Sequence, residues 1–190
     1  MKKVALFGDS FGFKKKDEVF PSWVSLLTQH FLVDNFSQCG VSEYKILKQI
    51  QSVNLDDYNF VLITHTSHSR IFVDYNPVHA VSEYHQNCDI IYTDIESRSD
   101  EFSQACKLYF KHIFNNEFAK NMHNLILKEI SQIVSTKKVI HMTHFDHNDL
   151  YLLPGLLKFH ELFLKNQGPV NHYNMQANKT IYEAVLQKLV

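Results

Sequence analysis

Short apolar runs alternate with stretches of helical spacing along the chain. Lys3–Phe7 carries Val4, Ala5, Leu6 and Phe7 in unbroken succession and is closed by Gly8. A continuous run bounded by a turn residue predicts a buried strand. From Pro21 the apolar positions Trp23, Leu26, Leu27 and Phe31 have helical spacing, which predicts a helix opened by that proline. Leu32–Phe36 predicts a second strand, and Ser42 can cap a helix carrying Ile46, Leu47 and Ile50. Phe60-Val61-Leu62-Ile63 is again continuous, as expected of a strand covered on both faces. A long helical region is expected after Glu101, with Phe118, Met122, Leu125, Ile126, Ile130 and Ile133 as its buried stripe. Val139–Thr143 predicts a fourth strand. A last helix from about Asn174 sets Ile181, Ala184, Val185 and Leu189 on one face.

Strands alternating with helices predict an α/β fold, a parallel sheet with helices on both faces in a three-layer α/β/α sandwich. Such sheets bind ligands at the carboxyl ends of their strands, so the loops that follow the strands carry the candidate chemistry. Residues 71–101 break the alternation. They hold Asp74, Glu83, Asp89, Asp94, Glu96, Asp100 and Glu101 against one basic residue, Arg98, with Tyr75, Tyr84, Tyr92 and Pro77 among them. The expectation is one domain over residues 1–190 with a loop insertion at about 71–101, either a lid or binding loop or a solvated excursion.

Composition narrows the function classes. Lys plus Arg number 19 and Asp plus Glu 20, for a formal charge of -1, which argues against nucleic acid as partner. No apolar run approaches the roughly 20 residues of a membrane-spanning helix, and Val4–Phe7 is too short for a signal-peptide core. Cys39, Cys88 and Cys106 form no paired spacing, so a reducing, cytoplasmic setting is expected. The 12 histidines invite a metal or proton-transfer hypothesis.

The first strand ends in Gly8-Asp9-Ser10, where a serine can offer its hydroxyl with its own N–H nearby. The same serine also serves as a plain turn residue. The second strand ends in Ser37-Gln38-Cys39-Gly40-Val41-Ser42, whose glycine lets a backbone N–H approach a substrate oxygen. His172, in Asn171-His172-Tyr173-Asn174 before the last helix, can take a proton from a serine and return it to a leaving group.

These three blocks, in this order over nearly the whole chain, resemble the SGNH, or GDSL-type, hydrolase family. The resemblance rests on Val4-Ala5-Leu6-Phe7-Gly8-Asp9-Ser10-Phe11, on Asn35-Phe36-Ser37-Gln38-Cys39-Gly40-Val41-Ser42 and on His172. It implies a flavodoxin-like sandwich and an esterase acting on a small-molecule or glycan ester, with a carbohydrate O-acetyl ester as first guess and no cofactor. By resemblance Ser10 is the nucleophile, His172 the general base, and the N–H groups of Ser10 and Gly40 part of the oxyanion hole.

Two positions depart from the family pattern. Its third block reads Gly-x-Asn-Asp, but here the stretch is Thr64-His65-Thr66-Ser67-His68-Ser69-Arg70, with Thr66 at the Asn place. Its final block reads Asp-x-x-His, but here Pro169 stands where the acid belongs. A dyad, a main-chain carbonyl, or Asp146 or Asp149 could orient His172 instead. Asp9 is expected to organise the turn. Arg70 can hold a substrate anion or pair with an acid of the 71–101 loop, and Lys14–Lys16 read as a solvated loop. His65 and His68 are candidate pocket neighbours. Two rivals stay open. With its acid and Asn missing, the chain could bind a ligand without turning it over. His65, His68, His141, His144, His147 and Asp146 could also build a metal site, although alternate strand residues such as His141 and His144 face opposite ways.

Overall fold

The computed structural model describes residues 1–14, 19–79, 85, 88–146, 153–168 and 172–190. Lys15, Lys16, Glu83, Tyr84, His147, Asp149 and the Pro169-Val170-Asn171 stretch lie outside the described residues. A five-stranded sheet runs in the order β2-β1-β3-β4-β5, every neighbouring pair parallel. The strands are β1 (Lys3–Gly8), β2 (Leu32–Asn35), β3 (Phe60–His65), β4 (Lys138–Thr143) and β5 (Leu157–Lys158). This 2-1-3-4-5 order is common among doubly wound sheets, and its switch point lies between β1 and β3.

Side-chain alternation splits the core into two layers. Val4, Leu6, Phe60, Leu62, Ile140 and Met142 pack on one face, against Trp23, Val24 and Leu27 of α1 (Trp23–Leu27) and Ala177, Ile181, Val185 and Leu189 of α7 (Met175–Leu189). Ala5, Phe7, Val61 and Ile63 pack on the other, against Ile46, Leu47 and Ile50 of α2 (Glu43–Gln51) and Ile130 of α5 (Asn116–Ile133). The result is a three-layer α/β/α sandwich. β1 and β3 are apolar on both faces because both faces are covered. Among the described residues, no helix is long and apolar enough to cross a membrane.

Several predicted elements shift. Helix α1 starts at Trp23, because Ser22 rather than Pro21 opens it, accepting from Ser25 N at 3.2 Å. Phe31 lies beyond that helix and packs edge-on against Phe60. The region after Glu101 is two helices, α4 (Glu101–His112) and α5. Its predicted buried stripe is wrong for Phe118, Met122 and Leu125, which are 64%, 41% and 56% exposed. The buried side of α5 carries His123, Leu127 and Ile130, with Ile126 and Ile133 half-buried against the sheet.

Residues 71–101 form a bridge between Ile71 and Ile90, the short helix α3 (Tyr92–Ile95) and a small core of Ile90, Ile95 and Cys106. Asp89 is not solvated, unlike the reading of this stretch as a polar excursion; it is fully buried. The remaining helix, α6 (His160–Lys165), follows β5.

Candidate active site

The turn after β1 is fixed from several sides. Gly8 has φ +139°, and a Cβ there would overlap both the Oγ1 and the carbonyl oxygen of Thr64 on β3. Asp9 N donates to Thr64 Oγ1 at 3.1 Å. Asp9 Oδ1 accepts from Phe11 N at 3.1 Å, an Asx turn that folds the chain back over Ser10. Gly12 N closes it on Asp9 O at 3.1 Å, and Trp23 Nε1 donates to Phe11 O at 2.8 Å. Ser10 is half-buried at the carboxyl edge of the sheet.

His172 reaches this turn from 162 residues away, its Nε2 lying 3.1 Å from Ser10 O. A carbonyl oxygen only accepts, so Nε2 carries the proton in this arrangement. The His172 ring packs against Phe11, centroids 5.4 Å apart. Asn174 caps α7 through Ala177 N at 3.0 Å, which sets where the segment carrying His172 enters the helix. Behind Phe11, His144 stacks on its ring at 4.4 Å and pairs through Nδ1 with the hydroxyl of Tyr173. Burial pushes His144 down to about 3 and Tyr173 well above its ordinary value. His144 Nε2 has no hydrogen-bond partner among the described residues. Asp146 is exposed.

Asp9 is fully buried, and its Oδ2 has no hydrogen-bond partner among the described residues. The guanidinium of Arg70 comes within 3.6 Å of it and donates to Val41 O at 2.9 Å. Among the described residues, the carboxylate that Arg70 meets is Asp9. Burial raises the Asp9 carboxyl above its ordinary value, and Arg70, the Phe11 N–H and His172 oppose that rise.

The loop after β3 is organised by Glu43, the first residue of α2 and 2% exposed. Its carboxylate accepts from His65 Nδ1 at 2.7 Å and from Thr66 N at 3.1 Å, and lies 4.0 Å from His123 Nε2. His65 continues to His141 Nδ1 at 2.9 Å. Burial raises the Glu43 carboxyl, but the imidazoles and the Thr66 N–H outweigh it and hold the carboxyl below its ordinary value. His65 is wholly buried in this chain, while His68 donates to Asn116 Oδ1 at 2.9 Å and lines a groove. His141 and His144 lie on opposite sides of the sheet, each in its own buried network. Thr66 is buried, and its Oγ1 has no partner among the described residues. Among the described residues, no group of three or more His, Cys, Asp and Glu is arranged to hold a metal ion.

Gly40 has φ +70°, and its bare face is filled by Cys88, whose Sγ would lie 2.9 Å from a Cβ there. Burial pushes the Cys88 thiol up to about 11, leaving it protonated at neutral pH. Asp89, next along, holds the insertion against this turn. It accepts from Lys45 Nζ at 2.8 Å, Ser42 N at 2.6 Å and Val73 N at 3.1 Å, while its own N–H donates to Gly40 O at 2.8 Å.

A groove of about 440 Å³ opens between the start of α2, residues 67–72 and the α4–α5 pair. Phe72, Phe114, Phe118 and Met122 supply apolar wall, with Glu43, Arg70 and His123 at its polar part. Ser10 and His172 are not among its lining residues.

Glu43, His123, Lys45 and Asp89 were not singled out from the sequence. Glu43 follows the cap Ser42 and reads as an ordinary acidic residue complementing a helix N-terminus. Nothing in the Cys88-Asp89-Ile90 run marks its acid as buried. The chain matches no family model and no curated protein.

Proposed function

We propose that this chain is a serine ester hydrolase of the SGNH, or GDSL-type, family, built on a flavodoxin-like sandwich. The observation that carries this reading is the contact between His172 Nε2 and the carbonyl of Ser10 at the end of the first parallel strand. A serine at that edge with an imidazole beside it is the pair that acyl transfer needs. For catalysis the proton moves to Nδ1, and Nε2 turns from the carbonyl to the hydroxyl of the same residue. Ser10 Oγ then attacks the ester carbonyl carbon while His172 takes its proton. The same proton passes to the departing alcohol, and water hydrolyses the acyl-serine by the reverse sequence. The N–H groups of Ser10 and Gly40 and the Thr66 hydroxyl stabilise the oxyanion. That Thr66 Oγ1 has no hydrogen-bond partner among the described residues supports that role. This chemistry uses no cofactor.

By the family resemblance, the first candidate substrate is a carbohydrate O-acetyl ester. The test is labelling with a fluorophosphonate, together with hydrolysis of p-nitrophenyl esters from acetate to octanoate. Labelling is expected, and is lost in Ser10→Ala and in His172→Ala. Ligand binding without turnover is the second reading, carried by Pro169 at the place of the family's acid. Absence of both labelling and ester cleavage selects it. Activity that survives Ser10→Ala but not a chelator would instead require a metal.

A further inference from the structure

Residues from the two ends of the 71–101 insertion grip the turn after β2. Three successive carbonyls are engaged there. Cys39 O accepts from the Cys88 thiol at 3.1 Å, Gly40 O from Asp89 N at 2.8 Å, and Val41 O from the Arg70 guanidinium at 2.9 Å. The bridge between Ile71 and Ile90 sets Arg70 and Asp89 on neighbouring stretches of chain. We propose that Cys88 is a positioning residue for the oxyanion hole, its thiol aiming the Gly40 N–H. This inference rests on the serine-esterase reading above.

The link is the peptide plane. The Cys39 carbonyl and the Gly40 N–H belong to one planar trans unit, in which they point in opposite directions. Holding the carbonyl against Cys88 therefore fixes the direction of the N–H, away from the sulfur. Burial keeps the Cys88 thiol protonated at neutral pH, so it can donate. Cys88 is itself buried and packs on the bare face of Gly40, which adopts φ +70°. Asp89 makes the mount rigid. Its carboxylate accepts from Ser42 N at 2.6 Å, Lys45 Nζ at 2.8 Å and Val73 N at 3.1 Å, and its carbonyl accepts from Asn76 Nδ2 at 3.2 Å. The base of the insertion is thus a frame for the turn. Aim is what an oxyanion donor contributes, since it must lie about 2.7–3.1 Å from where the negative oxygen forms.

The decisive pair is Cys88→Ala and Cys88→Ser, measured with p-nitrophenyl acetate. In Cys88→Ala the donor is gone, and kcat is expected to fall about 10-fold with KM nearly unchanged. That is less than the loss of about 10²–10³ on removing an oxyanion donor, because the N–H remains and only its aim is relaxed. In Cys88→Ser a hydroxyl donates to the same carbonyl, and most of kcat is expected to return. A purely structural role lowers the urea midpoint of Cys88→Ala but leaves kcat of the folded protein unchanged. That result, or equal loss of kcat in both variants, overturns the proposal while leaving the esterase reading intact. Neither labelling nor hydrolysis by the wild-type chain overturns both. Should Cys88→Ala fail to fold, Cys88→Val fills the space of the sulfur without a donor and is expected to show the same fall in kcat. Should neither fold, the wild-type infrared spectrum decides: a thiol S–H band must shift when a fluorophosphonate occupies Ser10, and unmoved S–H bands overturn the proposal.

Discussion

Glu43 and His65 are joined at 2.7 Å inside the protein, a carboxylate 2% exposed and an imidazole with no exposed surface. Removing one partner of such a pair leaves the other buried and uncompensated. Glu43→Gln strips the charge opposite His65 and His123, and Glu43→Ala also leaves the Thr66 N–H without its acceptor. Glu43→Ala is expected to cost about 3–5 kcal/mol, and Glu43→Gln less, in urea unfolding at pH 7. Equal midpoints for both variants and wild type would contradict the described network.

Acid should unfold the protein before most carboxylates titrate. Burial is the main cause that pushes His123 down to about 4 and His141 and His144 to about 3, from an ordinary 6.5. The unfolded chain therefore binds protons that the folded chain refuses as pH falls below 6.5, so stability rises with pH across that window. Three such groups give a slope approaching about 4 kcal/mol per pH unit around pH 5. Glu43, held below its ordinary value, acts in the same sense at lower pH, while the raised Asp9 opposes it as one group. Urea midpoints from pH 7 down to pH 5 should fall steeply. A flat profile would show that these imidazoles are not buried and neutral.

Two glycines should respond differently to alanine. At Gly8 the added carbon meets the backbone of β3, which cannot yield, so Gly8→Ala should cost about 3 kcal/mol or more and disturb the Ser10 turn. At Gly40 the obstacle includes the Cys88 Sγ at 2.9 Å. Gly40→Ala is expected to cost about 1–2 kcal/mol from its positive φ alone, with the sulfur overlap in addition. Combining it with Cys88→Ala should recover the sulfur part of the overlap, but neither the 3.0 Å approach of the Cys88 Cβ nor the backbone strain. A double-mutant cycle measured by thermal unfolding checks this. Full additivity would mean that the two residues do not touch.

The two sides of α5 should separate cleanly. Phe118→Ser, on the exposed side, is expected to change stability by less than about 0.5 kcal/mol. Leu127→Ala, with no exposed surface, should cost about 2–5 kcal/mol. The comparison requires only urea denaturation, and a costly Phe118→Ser would mean that this face is covered.

The contrast on α5 shows where sequence reasoning reaches its limit. β1 and β3 were legible because a doubly covered strand is apolar at every position, and Ser42 and Asn174 because caps have a chemical signature. On α5 both sides are apolar, so a 3.6-residue period fits Phe118, Met122 and Leu125 as well as Leu127 and Ile130. Only the packing against α2 and the sheet decides between them. β5 spans two residues, too few for any period. At the candidate site, Ser10 and His172 were legible because each sits at a predicted element end. Glu43 and Asp89 were not, because a buried carboxylate is defined by partners from distant segments, His65 and Lys45 among them.

The central place of β1 has a consequence for biosynthesis. Made before β3, β1 cannot gain its second neighbour until Phe60–His65 has been made. His172 meets the Ser10 turn only once the segment 162 residues further on has been made. Long-range pairing of this kind folds slowly. The nascent chain carries its candidate nucleophile long before its candidate base, so any reactivity of this pair waits until the segment before α7 docks on the Ser10 turn.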